Sequence, residues 1–232
     1  MDNERDALKR RAAEYAVDFV SPGMILGLGH GSTARFALEK IARLLREGWL
    51  GDIRAIPCSS QVEREARRLG IPLTTLDDTP RIDLTIDGAD EVTPALELIK
   101  GGGGALLREK IVAQASRREI IAVEDTKVSA HLGQHSRVPV EVIPFGWRTQ
   151  ADYLEELGAL LTLRAAADGA PFRTEQGNYI LDCDFGIIHH PAQLAARLRE
   201  RAGIVEHGLF LGLATCVVVA GVEGVRLLMA AE

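Results

Sequence analysis

Residues 87 to 109 gather two aspartates, a lysine and a glutamate around four consecutive glycines: Asp87, Asp90, Lys100 and Glu109 in "DGADEVTPALELIKGGGGALLRE". Carboxylates take and return protons, and a lysine supplies positive potential where negative charge develops. Four glycines in a row cost more backbone entropy on folding than almost any alternative. Such a run implies that the backbone itself must come close to something, with the acids and the lysine beside it. The chemistry these residue types suit is proton transfer on a small polar substrate.

Each of these residues also has a plain structural reading. Glu109 has apolar neighbours at helical spacing, Ala105, Leu106, Val112 and Ala113. Burial among them disfavours the charged form, as a general base working near neutrality requires. Arg108 has nearly the same surroundings, and an ion pair within Arg108-Glu109-Lys110 is the alternative. Asp87 and Asp90 follow the apolar strand "IDLTI" and fall at a sheet edge, where a turn with an Asx-type cap would also use them. No histidine or further carboxylate stands at ligand spacing, so no metal is expected. Lys9, Lys100 and Lys127 are single lysines, solvated charges unless the fold brings them to the glycines.

A second glycine-rich stretch, "GLGHGST", runs from Gly27 to Thr33. A loop of this kind after a strand lies at the carboxyl edge of an α/β sheet, where ligands bind. The helix that follows offers free N–H groups and a partial positive charge to an anion. Ser32 and Thr33 would donate hydroxyls to a phosphate, or the stretch is a tight turn with a serine cap. Ser32 stands where a dinucleotide fingerprint needs its third glycine, and no P-loop lysine follows.

The elements that must position these residues alternate through the first half. "MILGLGHGST", "IRAIPCSS", "RIDLTIDGAD" and "EIIAVED" read as strands, and "ARFALEKIARLLREG", "QVEREARRLG" and "GALLREKIVAQAS" as helices. Repeated β-α-β units imply a parallel sheet with helices on both faces. After about residue 130 come "VPVEVIP", "YLEELGA", "LTLR", antiparallel strands around a Gln-Gly-Asn turn in "FRTEQGNYILDCDF", and the helix "PAQLAARLRERAG". "LFLGLATCVVVAGVEGVRLLM" then returns to buried strands joined by a Val-Glu-Gly turn. The expected fold is α/β, a Rossmann-like parallel-sheet domain of residues 1–130 and 206–232. A smaller α+β (ferredoxin-like) domain of residues 131–205 is inserted into it.

Composition excludes several classes. The 232 residues carry a net charge of −6 with no basic cluster, so no nucleic-acid partner is expected. The longest apolar run, from Leu209, is too short to span a bilayer and is broken by Gly212, so no membrane partner is expected. The charged, helical start does not read as a signal peptide. Cys58, Cys183 and Cys216 are far apart and form no CxxC pair, which indicates neither a disulfide framework nor a zinc site and fits a reducing cytoplasm.

"GLGHGST", "IDGADEV", "IKGGGGALLREKIVA", "VPVEVIPF", "GNYILDCDF" and "EHGLF" resemble, in order and spacing, the type A ribose-5-phosphate isomerases. The resemblance runs from about Lys9 to the C-terminus. It implies an aldose–ketose isomerase that interconverts ribose 5-phosphate and ribulose 5-phosphate with no cofactor, as a homodimer or tetramer. Carried over, Glu109 matches the catalytic base, Asp87 and Asp90 carboxylates at the reacting end of the sugar, and Lys100 a charge-stabilising lysine. Gly101, Gly102 and Gly103 line the substrate, with Gly31, Gly88 and Ala89 beside it. Ser32, Thr33, Lys9 and Lys127 match phosphate or sugar contacts. His30 stands where the family usually has threonine; its imidazole can still donate to a sugar or phosphate oxygen.

Two rivals come from other classes. Sugar-phosphate-sensing regulators share this general fold, but the stretch before Met24 has no room for a helix-turn-helix. An acyl-CoA transferase-like enzyme would use a glutamate on this type of fold as a nucleophile.

Overall fold

The computed structural model describes residues 2–229, with side chains from residue 4; Met1 and residues 230–232 of the expected first domain lie outside the described residues. The chain begins with α1 (Asp2–Val17), β1 (Ile25–Leu28), α2 (Ser32–Arg46), β2 (Arg54–Pro57), α3 (Ser60–Arg68) and β3 (Leu84–Asp87). Two very short strands, β4 (Glu91–Val92) and β5 (Leu98–Ile99), precede α4 (Leu106–Gln114) and β6 (Glu119–Glu124). Then follow β7 (Val138–Val142), α5 (Trp147–Glu156), β8 (Leu160–Leu163), β9 (Tyr179–Asp184), α6 (Pro191–Glu200) and β10 (Ile204–His207). The last strands are β11 (Leu209–Phe210), β12 (Cys216–Gly221) and β13 (Gly224–Met229).

The chain forms two compact units. The first comprises residues up to 89, 108–127 and those from 212. Its sheet has the order β13-β12-β6-β3-β1-β2, with every neighbouring pair parallel except β12 with β13. Strands such as "IIAV" and "CVVVA" are apolar at every position because both faces are covered, as the uniform burial of β6 and β12 shows. Leu26, Leu28, Leu84, Ile86, Ile120 and Val218 meet Ala12, Ala16, Phe36 and Ile41 from α1 and α2 in one core. Each large side chain so buried contributes about 1.5–3 kcal/mol. β13 differs from expectation. It is the antiparallel edge, and Arg226, Leu227 and Met229 are exposed.

The second unit comprises residues 90–107 and 128–211. Its chain order β7-α5-β8-β9-α6-β10 builds an antiparallel sheet of order β10-β7-β9-β8, the ferredoxin-like arrangement. Val138, Val140, Val142, Leu154, Leu181 and Leu198 form its core. The stretch before β9 is a turn rather than a strand: Thr174 N–H donates to the Asn178 carbonyl and Gly177 N–H to that of Thr174. Residues 90–107, 128–130 and 206–211 group with this unit and not with the parallel sheet, where the expected domain of residues 1–130 and 206–232 puts them. The physical reason is pairing: β5 joins β4 on one side and β11 on the other, with Ile99 opposite Leu209. Strands of two residues leave no periodic signal.

Glu141, on β7, is buried where that sheet turns inward. Burial pushes its carboxyl up from the ordinary range; hydrogen bonds from Asn178 and Thr174 offset this, and the charge of Glu206 opposite adds to it. The folded chain therefore binds this proton more tightly than the unfolded one. Its stabilising effect is complete at acid pH and is lost as pH rises through the raised value. Glu141→Gln keeps the acceptor oxygen and cannot ionise. Its melting temperature relative to the wild type should rise between pH 5 and pH 8; a constant difference would show that Glu141 is not the titrating group.

Candidate active site

Counted along the chain, the five parallel strands of the first unit lie in the order 2-1-3-4-5. In such a sheet the connections leave β1 and β3 in opposite directions and open a crevice at the carboxyl ends. Gly29–Thr33 leaves β1 there, and Asp87, Gly88 and Ala89 end or follow β3. The 3₁₀ turn Asp125–Lys127 leaves the neighbouring β6. The topology thus brings His30, Gly31, Ser32, Thr33, Asp87, Gly88, Ala89 and Lys127 to one sheet edge. Lys9 lies on α1, half-buried, with Nζ 3.4 Å from Asp6 Oδ1 one turn earlier.

Asp87 is 2% exposed, and its Oδ1 accepts the N–H groups of His30 at 3.0 Å and Gly88 at 2.7 Å. The carboxylate thereby ties the β1 loop to the end of β3. Any side chain at Gly29 would overlap that carboxylate, which is why the second glycine of "GLGHGST" is needed. The alternative of a serine cap is absent. Gly31, at φ +108°, is the N-cap of α2 and no side chain caps the helix; Ser32 is its first residue and exposed, while Thr33 is buried. An uncapped helix start of this kind suits an anion. His30 Nδ1 lies 3.0 Å from Ser59 Oγ, which also accepts the Val62 N–H at the start of α3. The loop borders a cavity of about 680 Å³ whose lining includes Arg35, Arg64 and Arg68.

Glu109 is placed by a close approach. Gly27 leaves room for Thr85 on β3 and for Val112: a Cβ there would overlap Thr85 Oγ1 and lie 2.8 Å from Val112 Cγ1. This seats α4 on β1 with Glu109 one turn ahead of the contact. Periodicity leaves Arg108 and Glu109 equivalent, but the fold separates them. Glu109 is 5% exposed, whereas Arg108 is half-buried and lines a larger cavity of about 900 Å³ with Ile56, Leu73 and Ile111. That cavity contains none of the expected site residues.

The second unit holds Asp90, Lys100 and the glycines. Asp90 Oδ2 accepts the Gly102 N–H at 2.8 Å, and a Cβ on Gly102 would lie 2.8 Å from Asp90 Oδ1. The glycine turn is held from its other face by Arg164, whose Nη1 donates to the carbonyls of Gly101 and Gly102 at 3.0 and 3.1 Å. Asp182 fixes that guanidinium through Nε at 2.9 Å and through Nη2. Gly102 and Gly103 are exposed. Lys100 is 2% exposed, with Nζ 5.4 Å from the Phe210 ring centre. Arg164, Asp182 and Ser59 were not foreseeable as site residues, since their partners are distant in sequence or belong to the backbone. Among the described residues no group of three or more His, Cys, Asp or Glu is arranged to hold a metal ion, and no helix is long and apolar enough to cross a membrane.

Known proteins resemble this chain in sequence and fold along most of its length. Residues 54–224 match the family model of ribose 5-phosphate isomerase A (phosphoriboisomerase A). Ribose-5-phosphate isomerase A of Chloroflexus aurantiacus is 59% identical over 94% of this chain and 91% of its own. The structure of ribose 5-phosphate isomerase from Plasmodium falciparum superposes with a TM-score of 0.94 at 39% identity, covering 98% of this chain and 100% of that one. A D-ribose-5-phosphate isomerase in complex with phospho-erythronic acid superposes with a TM-score of 0.94 at 36% identity, covering 96% and 98%. With a family model matched over most of its length and a close relative aligned nearly end to end, the chain belongs to the ribose 5-phosphate isomerase A family.

Proposed function

We propose that this protein interconverts D-ribose 5-phosphate and D-ribulose 5-phosphate through an enediolate, with no metal or organic cofactor. The observation that carries this reading is the family match over residues 54–224, which spans Asp87, Asp90, Lys100 and Glu109. Moving a carbonyl between C1 and C2 needs one base to take the C2 proton and return it at C1. Glu109, buried on a helix seated against β1, is assigned that role. Asp87 moves the proton between O1 and O2. Lys100 supplies positive potential for the enediolate, which a buried charge does far better than one in water. Gly102 gives its N–H to Asp90, so its part is to hold that carboxylate toward the sugar.

The phosphate is assigned to the uncapped start of α2, with Ser32 and Thr33, and to Lys9 and Lys127. Its binding energy then lowers the barrier at the other end of the substrate. His30, with Nδ1 engaged by Ser59, turns Nε2 to a sugar or phosphate oxygen. The same reading sets the enzyme in a reducing cytoplasm, where its three buried cysteines stay thiols, as a homodimer or tetramer.

Incubation of the purified protein with ribose 5-phosphate and excess chelator, in the absence of any acyl-CoA, tests the reading. Ribulose 5-phosphate should accumulate to equilibrium. No ketose at all would favour a sensor or a transferase, and turnover lost to chelator and restored by a divalent ion would refute the metal-free mechanism.

A further inference from the structure

We propose that Glu91 is a positioning residue for the reaction, holding Asp90 and through it the glycine turn; this rests on the role assigned to Asp90 above. Glu91 is 0% exposed, yet its carboxylate faces four successive backbone donors. Oε2 accepts the N–H groups of Gly133 at 3.0 Å and Ser136 at 3.1 Å; Oε1 accepts those of Gln134 at 3.0 Å and His135 at 3.2 Å. A buried carboxylate is costly unless its lone pairs are satisfied, and donation to a charged acceptor gives stronger bonds than a neutral one. The clamp joins two pieces of chain more than forty residues apart in sequence, β4 and the 133–136 loop.

The loop is itself anchored. Gly133, at φ +83°, lies so close to the Gly186 carbonyl that a side chain would overlap it. From this anchor the bonds lead to the site. Ser136 Oγ donates to the Asp90 carbonyl at 3.1 Å, and Asp90 N–H donates to the Ile99 carbonyl at 2.8 Å. Asp90 Oδ2 then takes the Gly102 N–H at 2.8 Å. The residue just before the clamp is therefore fixed through its backbone on both sides, and the Gly102 N–H sets the direction of its carboxylate. Glu91 needs no contact with substrate to matter; a misplacement of reacting groups by about 1 Å costs roughly 100-fold in rate.

Glu91→Gln keeps one acceptor oxygen and turns an NH₂ group toward two of the four donors. Its kcat should fall by roughly 10- to 100-fold with KM changed less than about threefold. A purely structural role would lower the melting temperature and leave kcat per folded molecule intact. The deciding measurement is a double-mutant cycle with Asp90→Ala. In that background Glu91→Gln should change kcat by less than about twofold, because the residue it positions is gone. An equal loss in both backgrounds, or a folded Glu91→Gln enzyme with wild-type kcat, would overturn the inference. Should Glu91→Gln not fold, Ser136→Ala replaces it, since that change leaves the carboxylate clamp intact and removes only the hydroxyl bond to Asp90. Its smaller loss, about 3- to 10-fold, should likewise vanish beside Asp90→Ala, and persistence there would overturn the inference. Wild-type kcat in Asp90→Ala alone is a separate result: it would remove Asp90 from the mechanism, and the positioning role with it.

Discussion

Glu109→Gln should lower kcat by about 10²–10⁴, the range for loss of a general base, with KM changed much less. Glutamine keeps the shape and most of the hydrogen bonding but cannot accept a proton. Exchange of the substrate's C2 hydrogen with solvent deuterium should fall in parallel, since one group both removes and returns that proton. Glu109 is buried, so stability is the other quantity to watch. If the residue serves only an ion pair within Arg108-Glu109-Lys110, the substitution lowers the melting temperature and leaves kcat alone. Both measurements on one purified variant separate the readings. Near-normal turnover in a folded Glu109→Gln enzyme would move the base to Asp87.

Lys100→Met should lower kcat by about 10²–10³, the loss seen when one group facing a developing oxyanion is removed. Methionine fills much of the volume of the lysine stem and keeps contact with Phe210, so packing is largely retained. Taking away one member of a buried charged interaction costs about 3–5 kcal/mol where the other stays behind. The melting temperature should therefore fall, and the loss of turnover is read per folded molecule. Deuterium exchange at C2 should remain detectable, slower than in the wild type, if Glu109 is the base, since the substitution leaves it in place. A folded Lys100→Met enzyme with unchanged kcat would show that the lysine only packs, and the positive potential would have to come from the backbone.

Much of this was legible in the chain. Unbroken apolar runs such as "IIAV" and "CVVVA" mark strands covered on both faces, and helical spacing in "ARFALEKIARLLREG" marks α2. Both are local patterns, and hydrophobic burial enforces them wherever they occur. The candidate reacting groups were legible for a different reason: "DGADEV" and "IKGGGGALLREK" place acids, a lysine and glycines in contiguous residues. The glycines in "GLGHGST" also announced a close approach, although not what approaches. That was Asp87 for Gly29, and Thr85 with Val112 for Gly27.

Other features depend on contacts between segments that do not know of each other in sequence. Two-residue strands carry no period, so the grouping of residues 90–107 with the second unit came only from the pairing of β5 with β4 and β11. Helical spacing treats Arg108 and Glu109 alike, and the seating of α4 on Gly27 decided which one is buried. Ser32 had the chemistry of a cap, yet a left-handed Gly31 took the position and left the helix start open. The Glu91 clamp and the Arg164 brace are the extreme case. Their partners are backbone N–H and carbonyl groups, which every residue has, so no side-chain pattern can announce them. By itself the sequence determined the longer strands, the helices and which side chains are candidates for the chemistry, because hydrophobic period and contiguous motifs are local. The orientation of those side chains was decided by tertiary structure alone, because backbone N–H groups hold Asp87 and Asp90 and packing between distant segments seats Glu109 and Lys100.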